Sequence, residues 1–136
     1  MTDSWTSQLI GLTANTVEQW EGCPCVIQLS GSYTIQIESL WRLLASGTLM
    51  RTSQDEGQLF GHSKPVQALA DLSGKLFGRT LTSVEVVQGT ADLALHFDKT
   101  TLQVIADSSG YEAWQVVGPA GIVAVGQGGG NVAVWD

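Results

Sequence analysis

Positive charge is what this chain has least of. Lys and Arg together number 6 among 136 residues, against 13 Asp and Glu, for a net charge of −7. A duplex-binding surface needs clustered cations to displace counterions, and six spread along the sequence do not supply one. Nucleic acid and anionic membranes are therefore set aside as partners. Long apolar runs are also missing. None approaches the roughly 18 residues that a bilayer-spanning helix requires. The opening Met1-Thr2-Asp3-Ser4-Trp5 has neither a basic start nor an apolar stretch, so a cytoplasmic location is expected. Cysteine is scarce as well. The two present, Cys23 and Cys25, flank Pro24. A disulfide across one residue is strained, and with His62 and His96 the pair matches no zinc-ligand spacing. Both are expected as reduced structural thiols, with no metal and no cofactor.

What is present is apolar material and glycine. Hydrophobic residues make up 43% of the chain and glycines number 16, enough for a core with many tight turns. The length fits a single domain, 1–136, with residues 1–13 expected to be disordered or loosely attached. Cys25, Ile27 and Leu29 alternate with polar positions. Ser30-Gly31-Ser32 then turns the chain, and Tyr33, Ile35 and Ile37 alternate again. This is the pattern of a β-hairpin with one apolar face. Residues 14–20 suit a preceding strand. Residues 40–52 read equally as a helical turn or a strand.

The polar stretch 53–64 reads as an exposed loop. One helix is expected over 64–77, with Ser63 as cap and Pro65 in the first turn. Its inward stripe would be Val66, Leu69, Ala70, Ser73, Leu76 and Phe77. From 81 to 135 the sequence is a meander of short strands. Leu93, Leu95 and Phe97 point inward in one strand, Leu102, Val104 and Ala106 in the next, and 111–117 form another. The fold class is thus β-rich α+β. An antiparallel meander would form a twisted sheet or partly closed barrel with one covering helix.

No residue set carries a recognisable catalysis. His62 falls in the polar loop and His96 on a polar strand face, and Gly-x-Ser-x-Gly is absent, so no nucleophile–base arrangement is expected. Glu85, Asp92 and Asp98 read as solubilising acids rather than a glycosidase pair. Gly126-Gln127-Gly128-Gly129-Gly130 leads into a strand without a following Lys, so it reads as a hairpin connection and not a phosphate loop. Of the five tryptophans, Trp5 and Trp41 are the expected exposed pair.

The C-terminal third resembles a known pattern. Tyr111-Glu112-Ala113-Trp114, then Gly128-Gly129-Gly130-Asn131-Val132-Ala133-Val134-Trp135, is similar to a bacterial family of small proteins of unknown function with a Tyr-Glu-Ala-Trp strand and a Gly-Gly-x-x-Ala-Val-Trp ending. The likeness covers roughly residues 25–136 and extends to Ile37-Glu38 and the segment Leu93 to Val104. Within the motif, Tyr111 and Trp114 would pack in the sheet. Glu112 would pair with backbone donors or with Arg42, Arg51 or Arg79. Small acidic proteins of this kind resemble immunity proteins encoded beside bacterial toxins. The resemblance implies a non-enzymatic protein whose partner is a cognate toxin, itself basic. Acidic loops with an aromatic anchor would serve such a contact, which points to Glu38, Trp41, Asp55 and Glu56. The alternatives are a small-molecule-binding or enzymatic barrel-like domain, and a structural homodimer paired through sheet edges.

Overall fold

The computed structural model describes residues 5–135. Its strands are β1 (Ala14–Trp20), β2 (Cys23–Leu29), β3 (Tyr33–Ile37), β4 (Leu40–Ala45) and β5 (Thr48–Thr52). The helix α1 (Ala68–Leu76) follows, and then β6 (Ser83–Val86), β7 (Leu93–Phe97) and β8 (Thr100–Ile105). The chain closes with β9 (Trp114–Gly118), β10 (Gly121–Gly126) and β11 (Val132–Val134). Every strand pairing is antiparallel. The expected hairpin is present, with Leu29 opposite Tyr33 and Cys25 opposite Ile37.

The strands do not make one sheet or a closed barrel. They make two sheets, ordered β1-β2-β3-β9-β10-β11 and β5-β4-β8-β7-β6. The second is contiguous in sequence. The first is assembled from both ends of the chain. Cys25, Ile27, Ile35, Ile37, Trp114 and Val116 of the first sheet share one core with Trp41, Leu43, Leu93, Leu95, Phe97 and Leu102 of the second. Period-two alternation drives this in β3, β4, β7, β8 and β9, where every second side chain is buried.

The helix joins that core along the β1 and β5 edges. It begins later than expected. Val66 N–H donates to the Gln58 carbonyl and the Val66 carbonyl accepts from Gly57 N–H, so residues 64–67 stay outside the helix. Ser63 caps nothing there. Instead the Glu56 carboxylate accepts from Leu69 N–H at 3.4 Å. The buried stripe is Ala68, Leu72 and Leu76; Leu76 is as expected, Val66 and Leu69 pack against the core only partly buried, and Ala68 and Leu72 replace Ala70, Ser73 and Phe77. Phe77 leaves the helix and is 70% exposed.

One open reading is resolved and three other expectations change. Residues 40–52 form the β4–β5 hairpin. Tyr111 lies outside the strand and is 82% exposed, because pairing starts only at Trp114. Trp5 and Trp41 are buried; the exposed tryptophans among the described residues are Trp20 and Trp135. The described part of segment 1–13 is anchored rather than loose. Trp5 packs on Trp114 with ring centroids 5.4 Å apart, and Leu9 is fully buried. Residues 1–4 lie outside the described residues.

Candidate functional site

The chain passes between the sheets twice, at Glu38–Ser39 and over residues 106–113. The two crossings lie side by side. Glu38 N–H and the Ser39 hydroxyl both donate to the Ala113 carbonyl, at 2.9 and 3.3 Å. Asp107 accepts from Leu40 N–H at 3.1 Å. A cavity of about 400 Å³ opens at this point, lined by Glu38, Asp107, Ser108, Tyr111 and Glu112. Three carboxylates therefore surround one exposed tyrosine. The three arginines expected near Glu112 are engaged elsewhere. Arg42 bonds Gln103, Arg51 bonds Asp71, and Arg79 donates to the Lys75 carbonyl.

Trp41 and Glu56 come together at a second cavity, of about 670 Å³, with Glu18, Pro24, Ser53 and the first turn of α1. Trp41 is only 4% exposed, so it forms the floor and not a protruding anchor. Glu18 sits on a wall with its carboxyl held below the ordinary range by the Thr16 hydroxyl first, then by the Trp20 indole. Asp55 lines neither cavity. It closes a capping box in the turn Ser53–Asp55 by accepting from Thr52 N–H at 2.9 Å. Of the four expected contact residues, two share one cavity, one lines the other, and one is spent on a local turn.

Pro24, which lines the second cavity, is flanked by the two cysteines. Both cysteines are buried and free. Burial is the main cause that raises the Cys23 thiol, with the Glu38 charge adding to it, and burial pushes Cys25 up to about 12. Neither is a poised nucleophile, since reactivity needs an accessible thiolate. Among the described residues no cluster of His, Cys, Asp and Glu is arranged to hold a metal ion.

One constellation was not visible in the sequence. Thr101, His96 and Glu85 align across β8, β7 and β6. Thr101 Oγ1 lies 3.0 Å from His96 Nδ1, and His96 Nε2 lies 2.5 Å from Glu85 Oε1. The order mimics a nucleophile, base and carboxylate. The three side chains stand on neighbouring antiparallel strands, with Thr101 in register opposite His96. The arrangement works as a cross-strand polar ladder. The register that aligns it depends on turn lengths, which alternation alone does not reveal.

The glycine run is no cradle either. A Cβ at Gly128 would lie 2.6 Å from the Gly110 carbonyl carbon, and one at Gly130 would lie 2.6 Å from that of Gly89. The run is packed against two other backbone segments.

Across residues 13–136 the chain matches a family of unknown function (DUF6188), and it belongs to that family. The match begins twelve residues earlier than the C-terminal resemblance, at the first strand. No curated protein and no solved structure matches the chain. Among the described residues no helix is long and apolar enough to cross a membrane.

Proposed function

We propose that this chain is a non-enzymatic binding protein that engages a basic protein partner, in the manner of an immunity protein that neutralises a toxin. One observation carries the reading. Glu38, Asp107 and Glu112 converge around Tyr111, which is 82% exposed, at the place where both crossings meet. An exposed aromatic ringed by carboxylates suits a contact with a cationic surface, where charge speeds encounter and the ring supplies buried area. The Ala113 hydrogen bonds hold the crossings rigid, so little ordering is required on binding. Glu18 and Glu56, which line the second cavity together with Pro24, add further negative charge, and Asp55 adjoins Glu56 in sequence. Trp41 contributes by supporting that second cavity from beneath.

Co-expression with the reading frame encoded beside this gene is the direct test. Protection of the host and co-purification of the two products are expected. Glu38→Lys with Glu112→Lys should keep the fold and slow association most at low salt, where the screening length is longest. A wild-type protein that neither protects nor co-purifies overturns the proposal.

A further inference from the structure

The few cations of this chain are not scattered in space. Arg51, Lys75 and Arg79 line a cavity of about 540 Å³ with Leu43, Met50, Ala70, Asp71 and Gly74. Arg51 and Asp71 also line the adjoining cavity of about 520 Å³, with His62, Lys64 and Val66. Four of the six Lys and Arg thus meet on one groove, between the outward side of α1 and strand β5, in a molecule of net charge −7. Asp71 is the one carboxylate lining it, and it holds the Arg51 guanidinium at 2.8 Å.

The floor of this groove is built to be approached. Ala70 and Gly74 put almost no side chain on the exposed side of the helix, and nothing lies within 4 Å of where a Gly74 Cβ would stand. One large apolar side chain of the lining, Met50, is exposed among these cations, and others are exposed near it in sequence without lining the groove. Phe77 is 70% exposed at the helix end, Leu49 and Met50 are 53% and 37% exposed on β5, and Phe60 is 61% exposed two residues from His62. Exposed apolar groups interleaved with charge of one sign mark an interaction surface rather than a solvated face.

We propose that this groove docks an acidic segment of a partner protein, one whose carboxylates alternate with large apolar side chains. Charge complementarity selects the acidic partner. Met50, exposed in the lining, selects a peptide over a nucleic acid, because an apolar side chain of a peptide can cover it and a phosphate backbone meets only cations. The surface lies apart from the acidic crossing and does not depend on the function proposed there.

The test uses the full chain and a fluorescein-labelled peptide of interleaved Glu, Asp, Leu and Phe, followed by polarisation. Binding is expected at low salt. Lys64→Glu with Lys75→Glu should weaken it roughly tenfold or more, and Met50→Ser should weaken it at unchanged salt dependence. Glu38→Lys should leave it unaltered. Both cation positions are exposed, and circular dichroism confirms that the variants remain folded. Four results overturn the proposal: no binding to wild type, equal binding to the charge-reversed variant, tighter binding of oligothymidylate than of the peptide, or a salt-sensitive self-association that the variant abolishes. The last would make the occupant a second copy of this chain.

Discussion

The two open sides of the sandwich are closed by opposite means. On the β1–β5 side, α1 inserts the side chains of Ala68, Leu72 and Leu76. On the β6–β11 side, backbone meets backbone. Gly130 approaches Gly89, Gly128 approaches Gly110, and Gly126 lies against the Trp114 indole, whose Nε1–H donates to the Ala91 carbonyl at 2.8 Å. Trp5 stacks on the same indole from the N-terminal segment. A seam filled by side chains can be repacked with others of similar volume. A seam made by missing side chains has no smaller residue to fall back on. The first side is therefore where sequence variation is absorbed, and the second is where it is refused.

Removing the shared element of the glycine side should have the largest effect. Trp114→Ala deletes a fully buried ring, its hydrogen bond and the surface on which Trp5 rests, and should cost about 3–5 kcal/mol. Chemical denaturation reads the loss, and an unchanged midpoint would mean the seam is held by something other than Trp114. Gly130→Ala comes next. Its φ of 87° and the Gly89 carbonyl both oppose a Cβ, giving an expected loss of about 2–4 kcal/mol. On the opposite side Leu72→Met should cost under about 1.5 kcal/mol. Equal losses from Gly130→Ala and Leu72→Met would erase the distinction between the two sides.

Between the seams, Cys25 supplies a titratable probe of the interior. Its pKa is raised, so the folded state keeps a proton that the unfolded chain releases. The stabilising contribution is complete below the ordinary thiol value of 9.0 and is lost as pH rises toward about 12. Across that window the wild type should lose up to about 1.4 kcal/mol per pH unit more than Cys25→Ala. Parallel pH profiles for the two proteins would mean that the thiol is open to solvent. The smallest expected effect is a gain. Gly74→Ala lies mid-helix with open space around it and should add about 0.5–1 kcal/mol, seen as a higher melting temperature.

Legibility in the sequence followed the range of the interaction. The β2–β3 hairpin and the β7–β8 pair were plain, because alternation and turn residues sit within one short window. The split into two sheets was not, because Ile37 meets Trp114 across a separation that no local pattern encodes. The helix lost its first turn to a bridge between Val66 and Gly57–Gln58, and Ala68 and Leu72 entered its buried stripe. Of the site, Glu38 was visible as an acid after a hairpin, whereas Asp107 and Glu112 joined it only through the second crossing. The clustering of Arg51, Lys64, Lys75 and Arg79 was hidden in the same way. Their spacing along the chain looks random, and only the packing of α1 beside β5 gathers them.

The insertion of the whole second sheet between two neighbouring strands of the first has a kinetic consequence. β3 and β9 cannot pair until everything from β4 to β8 has become compact enough to bring their ends together, since closing a long flexible loop is entropically unfavourable. The β7–β8 hairpin has only local contacts to find, so the second sheet should order first and act as the template for the outer strands. Stopped-flow experiments would then show Leu95→Ala and Leu102→Ala slowing folding, while Val132→Ala in the last strand would chiefly hasten unfolding. A chain arranged this way should complete its first sheet last, at the β3–β9 junction.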